Sequence, residues 1–490
     1  MTFPLCNEVG QQSAKGRAEN NAWNEGVAAS TELRRVDEEE AAICRELFRG
    51  PSSVRYKRQT EPEQLALGLL RCCQNVLGEG EVVHSEKRNL PPVWLMGMTY
   101  ATFGMVGGFT AVTIPQILAA EHVPVGRIAS ITAVVMSSGF WGLLIAPLVD
   151  IRYRRRTYAL VCGVMAALAV GWTVAARPGP EVLEWVMLVG FSAATEYTAA
   201  VGGWMGSLID KGKDSGLGMW FAAWNIGSGG LMMVLASQLL GVPHRVLAGA
   251  ATSGLVLLPM TAYFWIPAPP PSDIAALERF GQFWREMVAV VKRREVLMGL
   301  VLFASPAASF ALTNLLGGMG ADFHASEKVV GLFSGIGSVL AGVVGSLLLH
   351  PLAKRFPLRP VYLGVGIVGA AFTLSQLLLP RGPLAFGVAV TGENLFQSLA
   401  FSVMFAITFE VMGPDNPLAG TIFALLGSAG MLPLLYMQML DGKGYTAGGV
   451  AGSYMMDAGV SVTACCVMAW VLTRWKVMRR MPEALPSEAD

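Results

Sequence analysis

The sequence predicts an all-α integral membrane protein with about twelve transmembrane helices, arranged as two groups of six. Three observations support this fold class. Hydrophobic residues make up 53% of the chain and charged residues only 14%, whereas soluble domains carry about 25% charged residues. The chain contains 56 glycines, which membrane helices use to approach one another closely. Its apolar residues also form runs long enough to cross a bilayer, which takes about 20 residues in a helix.

Twelve apolar runs follow one another along the chain. We expect each to form a helix, because lipid offers no partner to unpaired backbone groups. We number them spans 1 to 12, and their predicted limits are residues 93–119, 129–149, 157–176, 182–209, 217–240, 245–266, 295–316, 328–349, 360–380, 383–411, 418–440 and 451–473.

The chain divides into five predicted regions. Residues 1–90 are polar and carry charges of both signs, which predicts a disordered cytoplasmic extension or, alternatively, an over-long translation start. Residues 91–266 and 295–475 hold the two six-helix bundles, and residues 476–490 form a cytoplasmic tail. The linker, residues 267–294, begins with prolines and continues as an amphipathic helix expected to lie on the membrane surface. The apolar face of that helix consists of Phe280, Phe283, Trp284, Met287 and Val291.

Lysine and arginine are concentrated in alternate loops, which marks those loops as cytoplasmic. The loops on the other side carry mostly single basic residues. Both termini are therefore predicted to be cytoplasmic. The cytoplasmic clusters are Arg152 and Arg154 to Arg156 after span 2, Lys211 and Lys213 after span 4, Arg279 to Arg294 after span 6, and Lys354 to Arg359 after span 8.

Cysteine and histidine show no ligand spacing. The seven cysteines include no C-x-x-C pair, and the five histidines are scattered, so the sequence predicts reduced thiols, no metal and no cofactor. The sequence contains neither a G-x-S-x-G turn nor an H-E-x-x-H helix, and we expect no enzymatic activity.

A polar stripe runs through span 10, where Glu393, Asn394, Gln397 and Ser398 recur at helical spacing. A charged acid at membrane depth costs roughly 2.5–3.5 kcal/mol, so such a residue usually faces a water-filled cavity or a partner. Span 4 of the first half contains a second acid, Glu196, which we expect at the position equivalent to that of Glu393. The pair predicts a carrier with a central polar site.

Two segments carry a resemblance to a known family. Residues 140–156 read FWGLLIAPLVDIRYRRR, with Asp150 closing span 2 ahead of Arg154, Arg155 and Arg156, and with Ala146 where a glycine is usual. Residues 210–230 read DKGKDSGLGMWFAAWNIGSGG. Both resemble the major facilitator superfamily, and within it the AmpG-like muropeptide permeases and the acetyl-coenzyme A carrier group. The long extension and His350, where an acid is common, depart from that pattern.

The resemblance implies two pseudo-symmetric bundles around a midplane cavity lined by spans 1, 4, 7 and 10. Span 1 would contribute Gln116 and Thr113 to this cavity, and span 4 would contribute Glu196 and Tyr197. Span 7 would contribute a row at i, i+4 spacing, with Asn314 next to it: Ser305, Ser309 and Thr313. Asp150 and the three arginines after it would form a conformational latch at the cytoplasmic rim. A buried carboxyl binds protons more readily than one in water, so either glutamate is a candidate for proton coupling. The alternative is that each glutamate only joins neighbouring helices.

These predictions converge on a secondary active transporter in a bacterial inner membrane. The expected activity is proton-coupled uptake of a polar solute such as a muropeptide by alternating access. The expected partners are a small polar solute, protons and the bilayer, with no nucleic acid and with the oligomeric state left open. An exporter of amphipathic compounds is the alternative within transporters, and it would need a more aromatic cavity. A transport-derived sensor, which would use residues 1–90 as its output, is the alternative outside them.

Overall fold

The computed structural model describes residues 90–150, 153–210, 212–268, 285, 288–289, 291–414 and 416–474. Within these residues, regular structure is helical throughout, with no strand. The predicted extension up to residue 89, the tail and most of the linker lie outside the described residues. Of the predicted apolar face of the linker helix, only Val291 is described.

The helices of the first half follow the predicted spans closely. Span 2 continues beyond its helix into a 3₁₀ turn, Ala146–Asp150. In span 4, Glu196 lies among alanines, glycines and hydroxyl-bearing residues. Spans 1 to 6 are Val93–Ala120, Gly126–Leu144, Arg155–Ala176, Pro180–Leu208, Asp214–Leu240 and Arg245–Phe264.

The helices of the second half depart from prediction at two places, span 7 and the turn between spans 11 and 12. Spans 8, 9 and 10 are Lys328–Ala353, Leu358–Leu378 and Pro383–Met412. Spans 11 and 12 lie within Ala419–Arg474, which is broken at Gly448 and at Gly449, where φ is 60°. Only a residue without a Cβ adopts that conformation at little cost. Span 11 also contains Pro433 in its interior.

Span 7 is a broken helix. Its first part, Arg294–Ala304, ends at Ser305, whose ψ of 149° is extended. The cause is Pro306, since a proline disfavours the helical conformation of the residue before it. The chain then passes Phe310 at a positive φ of 48° and resumes as Thr313–Leu316 and Gly317–Phe323. The predicted row of Ser305, Ser309 and Thr313 on one continuous helical face is therefore wrong.

Among the described residues, the buried hydrophobic side chains form one core to which both halves contribute and two further cores that each belong to a single half. The shared core includes an aromatic group at the predicted cytoplasmic end, where Tyr100 of span 1 stacks on Phe221 of span 5 at 4.6 Å and meets Phe405 of span 10 at 5.2 Å. The other two cores lie toward the opposite end, one within residues 105–256 and one within residues 312–454. The two halves thus pack together at one end and separately at the other.

Glycines allow the halves to approach at the shared end. A Cβ on Gly203 of span 4 would lie 2.5 Å from the backbone nitrogen of Gly420 in span 11, and one on Gly218 of span 5 would lie 2.5 Å from that of Ala406 in span 10. Backbones in such contact leave no room for a side chain, which closes this end of the molecule.

Candidate functional site

Asp150 joins the two halves at the predicted cytoplasmic end. Its carboxylate accepts hydrogen bonds from the backbone nitrogens of Gly420 at 3.2 Å and Thr421 at 2.7 Å, and from the Thr421 hydroxyl at 2.8 Å. These nitrogens belong to the first turn of span 11, where helix N–H groups lack intrahelical partners and the helix dipole favours a negative charge. Asp150 therefore caps a helix of the opposite half.

Arg155 completes this contact. Its Nε donates to Asp150 Oδ1 at 2.8 Å, and its Nη2 donates to the carbonyl oxygens of Asn416 at 2.9 Å and Pro417 at 2.7 Å. Of the three arginines predicted to act with Asp150, it alone contacts that carboxylate in the described residues. Arg154 is exposed, and Arg156 lies over the ring of Trp204 at 6.0 Å. We use the term Asp150 latch for Asp150, Arg155, Gly420 and Thr421.

The predicted cavity residues of spans 1 and 7 lie in two environments. Gln116 and Asn314 are exposed, whereas Thr113 and Ser309 are buried with hydroxyl oxygens that have no hydrogen-bond partner. The exposed pair lies in the part of each half where the cores are separate. Two of the predicted residues are thus exposed toward the end opposite the Asp150 latch.

Gln397 of span 10 contacts the break in span 7. Its amide nitrogen donates to Thr313 Oγ1 at 2.8 Å and to the Phe310 carbonyl at 3.3 Å. Its neighbours on the predicted stripe make more local contacts. Asn394 donates to the Val390 carbonyl of its own helix, and Ser398 is buried where span 10 meets Gly342 of span 8.

Glu196 and its neighbour Tyr197 face other helices of the first half. Glu196 is 8% exposed, its Oε1 lies against Gly142 of span 2, and its Oε2 has no partner. Tyr197 is fully buried and donates its hydroxyl hydrogen to the Thr99 carbonyl of span 1. Tyr197 therefore joins span 4 to span 1. The same helix-joining role is the alternative to proton coupling for the two glutamates.

Glu393 faces the interior of the second half. It is 1% exposed, its Oε1 accepts a hydrogen bond from Thr373 of span 9, and its Oε2 has no partner. It lies nineteen residues before the end of its helix at Met412, whereas Glu196 lies twelve before Leu208. Seven residues of helix span about 10 Å. The expectation that both acids occupy the same position in the two halves is therefore wrong.

Two further acids, Asp441 and Asp457, lie near Glu393 and are absent from the predicted site. Both are buried, at 0% and 3% exposure, and both act electrostatically on Glu393. The predicted span 11 stops at residue 440, which puts Asp441 in a loop, whereas the helix continues to the break at Gly448. The glycines at 442, 444, 448, 449 and 452 were the available signal, since they suit a tight hairpin as well as a loop.

A separate groove of about 600 Å³ lies on the surface of the second half, between the break in span 7 and span 12. Its lining is mostly apolar and includes Ser305, Pro306 and Met455. Apart from Ser305, it contains none of the predicted cavity residues.

The solved structures that resemble this chain include several transporters. Human MFSD10 (TETRAN), an organic anion transporter, matches with a TM-score of 0.55 and 14% identity over 77% of this chain and 100% of its own. The E. coli fucose:proton symporter FucP matches with a TM-score of 0.59 and 14% identity, over 77% and 98%. The proton:xylose symporter XylE matches with a TM-score of 0.56 and 12% identity, over 77% and 95%.

No family model and no curated protein matches the sequence. The structural likeness extends over nearly the whole of each transporter and over three quarters of this chain. The helical architecture of the described residues and this likeness together confirm the predicted fold class, an all-α membrane protein with about twelve spans in two bundles: the chain shares the fold of these transporters.

Proposed function

We propose that this protein is a secondary active transporter of the major facilitator superfamily that moves a polar solute by alternating access. One observation carries the proposal. The two halves share a hydrophobic core at the end that holds the Asp150 latch, and each has its own core toward the other end. A carrier closed on one side and open on the other has this arrangement, and rocking of one bundle against the other exchanges the two sides.

The Asp150 latch gives the closed side its stability. Hydrogen bonds to charged groups contribute about 1.5–3 kcal/mol each, and those of Asp150 and Arg155 cross between the halves. Opening this end exposes the same groups to water, which replaces the lost partners. The latch therefore contributes to the choice between two states without making either one inaccessible.

The solute is proposed to be polar. Gln116 and Asn314 are exposed at the open end, and Gln397 and Asn394 lie half-buried on span 10. Amide groups of this kind donate and accept hydrogen bonds and suit a hydroxylated or amide-bearing molecule. The sequence resemblance to AmpG-like permeases favours a muropeptide as the solute and a bacterial inner membrane as the location. The lysines and arginines in alternate loops favour cytoplasmic termini.

Proton coupling is supported by buried acids and by two of the similar transporters. Glu196 and Glu393 each keep one carboxyl oxygen without a partner in the membrane interior, and intramembrane acids commonly form proton relays. FucP and XylE are described as proton symporters. MFSD10 is described as an organic anion transporter, so solute class and direction are matters for experiment.

The test is uptake into proteoliposomes under an imposed inward proton gradient. The probe is a labelled N-acetylglucosaminyl-anhydromuropeptide, and liposomes without protein are the blank. Accumulation that requires the gradient supports muropeptide symport. Absence of uptake refutes this solute, and a mixture of labelled sugars, peptides and organic anions then tests the carrier itself. If no compound in either orientation crosses faster than in the blank, the transporter proposal is wrong.

A further inference from the structure

We infer that the second half contains a proton-binding site made of three buried carboxyl groups, Glu393 of span 10, Asp441 of span 11 and Asp457 of span 12, and that the protons that drive transport bind there. The coupling part of this inference rests on the proposed function. Proton binding itself does not rest on the proposed function, because it is inferred from the surroundings of the three carboxyl groups. We call them the carboxyl cluster.

The carboxyl cluster is buried, and among the described residues its members have no ion-pair partner. Its members are 1%, 0% and 3% exposed, and the oxygens without a hydrogen-bond partner are Glu393 Oε2, both oxygens of Asp441 and Asp457 Oδ1. Within the described part of the chain, no lysine or arginine forms an ion pair with any of them. Carboxylates of like charge cannot all stay ionised in a medium of low dielectric constant, so protons neutralise them.

The hairpin of spans 11 and 12 brings the two aspartates together. A Cβ on Gly444 would lie 2.6 Å from the Gly452 carbonyl oxygen, so the two backbones are in contact there. Asp441 lies one turn before Gly444, and Asp457 lies five residues after Gly452. Both acids thus lie on the same side of this crossing point, away from the turn, and Asp457 acts electrostatically on Asp441 as well as on Glu393.

Tyr454 is an independent indication of a site. Its side chain is 2% exposed, its hydroxyl has no partner, and it interacts electrostatically with Glu393. Buried hydroxyl groups in proteins are almost always hydrogen-bonded. The Tyr454 hydroxyl and Glu393 Oε2 both lack a hydrogen-bond partner. This is explained if the two groups bond to each other when the protonation state of Glu393, or the conformation, changes.

The Thr373 hydroxyl can form a hydrogen bond with Glu393 whether Glu393 is ionised or protonated. Its hydroxyl lies within hydrogen-bond distance of Glu393 Oε1 and, at 3.1 Å, of the Gly369 carbonyl oxygen. The hydroxyl has one hydrogen to donate. When Glu393 is ionised the hydroxyl donates to it; when Glu393 is protonated, the carboxyl donates to the hydroxyl, which donates to Gly369. Neither state leaves a buried polar group unpaired at this oxygen.

The occupant is a proton in preference to a metal ion. In the part of the chain that is described, no group of His, Cys, Asp or Glu side chains is arranged to hold a metal. The charged or titratable groups that act on the site from the surrounding helices and loops are the three acids, Tyr454 and the exposed Arg381. Among the described residues, no second acid acts electrostatically on Glu196 of the first half.

The direct test is infrared spectroscopy of the full-length protein in nanodiscs as a function of pH. A protonated carboxyl has its own C=O stretching band, which shifts in D₂O. We expect one band to disappear in each of Glu393→Gln, Asp441→Asn and Asp457→Asn, with a shift in the titration of the two acids that remain. Glu184→Gln, which removes an acid paired with Arg127, is the matched control and should change none of these bands.

Two infrared results would overturn proton binding: all three acids ionised over the whole pH range, or three bands that titrate independently. Thr373 supplies variants that keep the acids in place. Thr373→Val should move the Glu393 band by removing its partner, whereas Thr373→Ser should leave it close to that of the wild type.

The coupling role is tested separately, with the labelled muropeptide in proteoliposomes. Cluster variants should lose accumulation driven by the proton gradient while keeping exchange of external for internal solute, which needs no net proton movement. Variants that still accumulate the muropeptide would overturn the coupling role. If the wild type transports nothing, the proposed function fails and the infrared result still decides whether the cluster binds protons.

Discussion

The carboxylate of Asp150 accepts two hydrogen bonds from Thr421, one from its backbone nitrogen and one from its hydroxyl, across 271 positions of sequence. Asp150 lies at the end of span 2 and Thr421 at the start of span 11, so this contact joins the two halves. An aspartate at a helix N-terminus satisfies free N–H groups and interacts favourably with the helix dipole. The state of this contact therefore reports whether the predicted cytoplasmic end is closed.

Asp150→Asn should shift the protein toward opening at this end. The substitution removes the charge that pairs with Arg155 and weakens the cap on span 11. A loss of about 1.5 kcal/mol raises the open population about ten-fold, since 1.4 kcal/mol corresponds to a factor of ten. Spin labels at Asp210 and Pro414, both exposed at this end, measure the separation of the halves. Arg154→Gln is the control, and an equal shift in that variant would contradict a specific role for Asp150.

Gly203→Ala should prevent full closure of the same end. The new Cβ would lie 2.5 Å from the Gly420 nitrogen, and overpacking of this kind costs about 1–3 kcal/mol. The reporter is a cysteine in place of Ser402, which is fully buried beside Gly218, and its rate of maleimide labelling should rise. Gly107→Ala, where the added Cβ meets nothing within 4 Å, should leave the rate unchanged.

Gln397→Leu should loosen the break in span 7. The variant loses the hydrogen bonds to Thr313 and to the Phe310 carbonyl, which together contribute about 1–2 kcal/mol. Hydrogen exchange of the backbone amides at residues 309–316 should become about ten-fold faster. Asn394→Leu removes an amide bonded only within its own helix; if it accelerates exchange equally, Gln397 has no special role at the break.

Gly444→Ala should destabilise the hairpin of spans 11 and 12. A methyl group at this position would meet the Gly452 carbonyl at 2.6 Å, so the helices must separate at a cost of about 1–3 kcal/mol. Thermal unfolding in detergent should show a lower midpoint. Gly442→Ala, two residues earlier with nothing within 4 Å, provides the comparison, and an equal loss there would show that the close approach at Gly444 is not the cause.

The sequence predicts the fold well because length and apolar character decide where a chain crosses lipid. The observed helices Val93–Ala120 and Pro383–Met412 differ from their predicted limits by one residue at most. Predictions failed where a backbone effect overrides composition. Ser305 precedes a proline and leaves the helix, and the glycines near residue 448 form a tight turn between helices where a longer loop was expected.

The candidate site was predicted less well, because its contacts depend on rotation and depth of helices that composition leaves free. Asp150 was identified from its motif, but the choice of Arg155 among three adjacent arginines follows from the direction of the side chain at the start of span 3. Glu393 was identified from its cost in lipid, yet its neighbours Asp441 and Asp457 come from two other helices. Pairings between distant spans appear only when the bundle is assembled.

Span 11 connects two places that the sequence keeps apart. It starts at the Asp150 latch with Gly420 and Thr421 and reaches Asp441 twenty residues later, about 30 Å away along one helix. Pro433 lies between them, and a proline inside a helix removes one backbone hydrogen bond and permits a bend. Span 11 can therefore bend at a point between its two ends. The Asp150 latch and the carboxyl cluster therefore share one helix, and we expect a movement of its first turn away from Asp150 to reach Asp441.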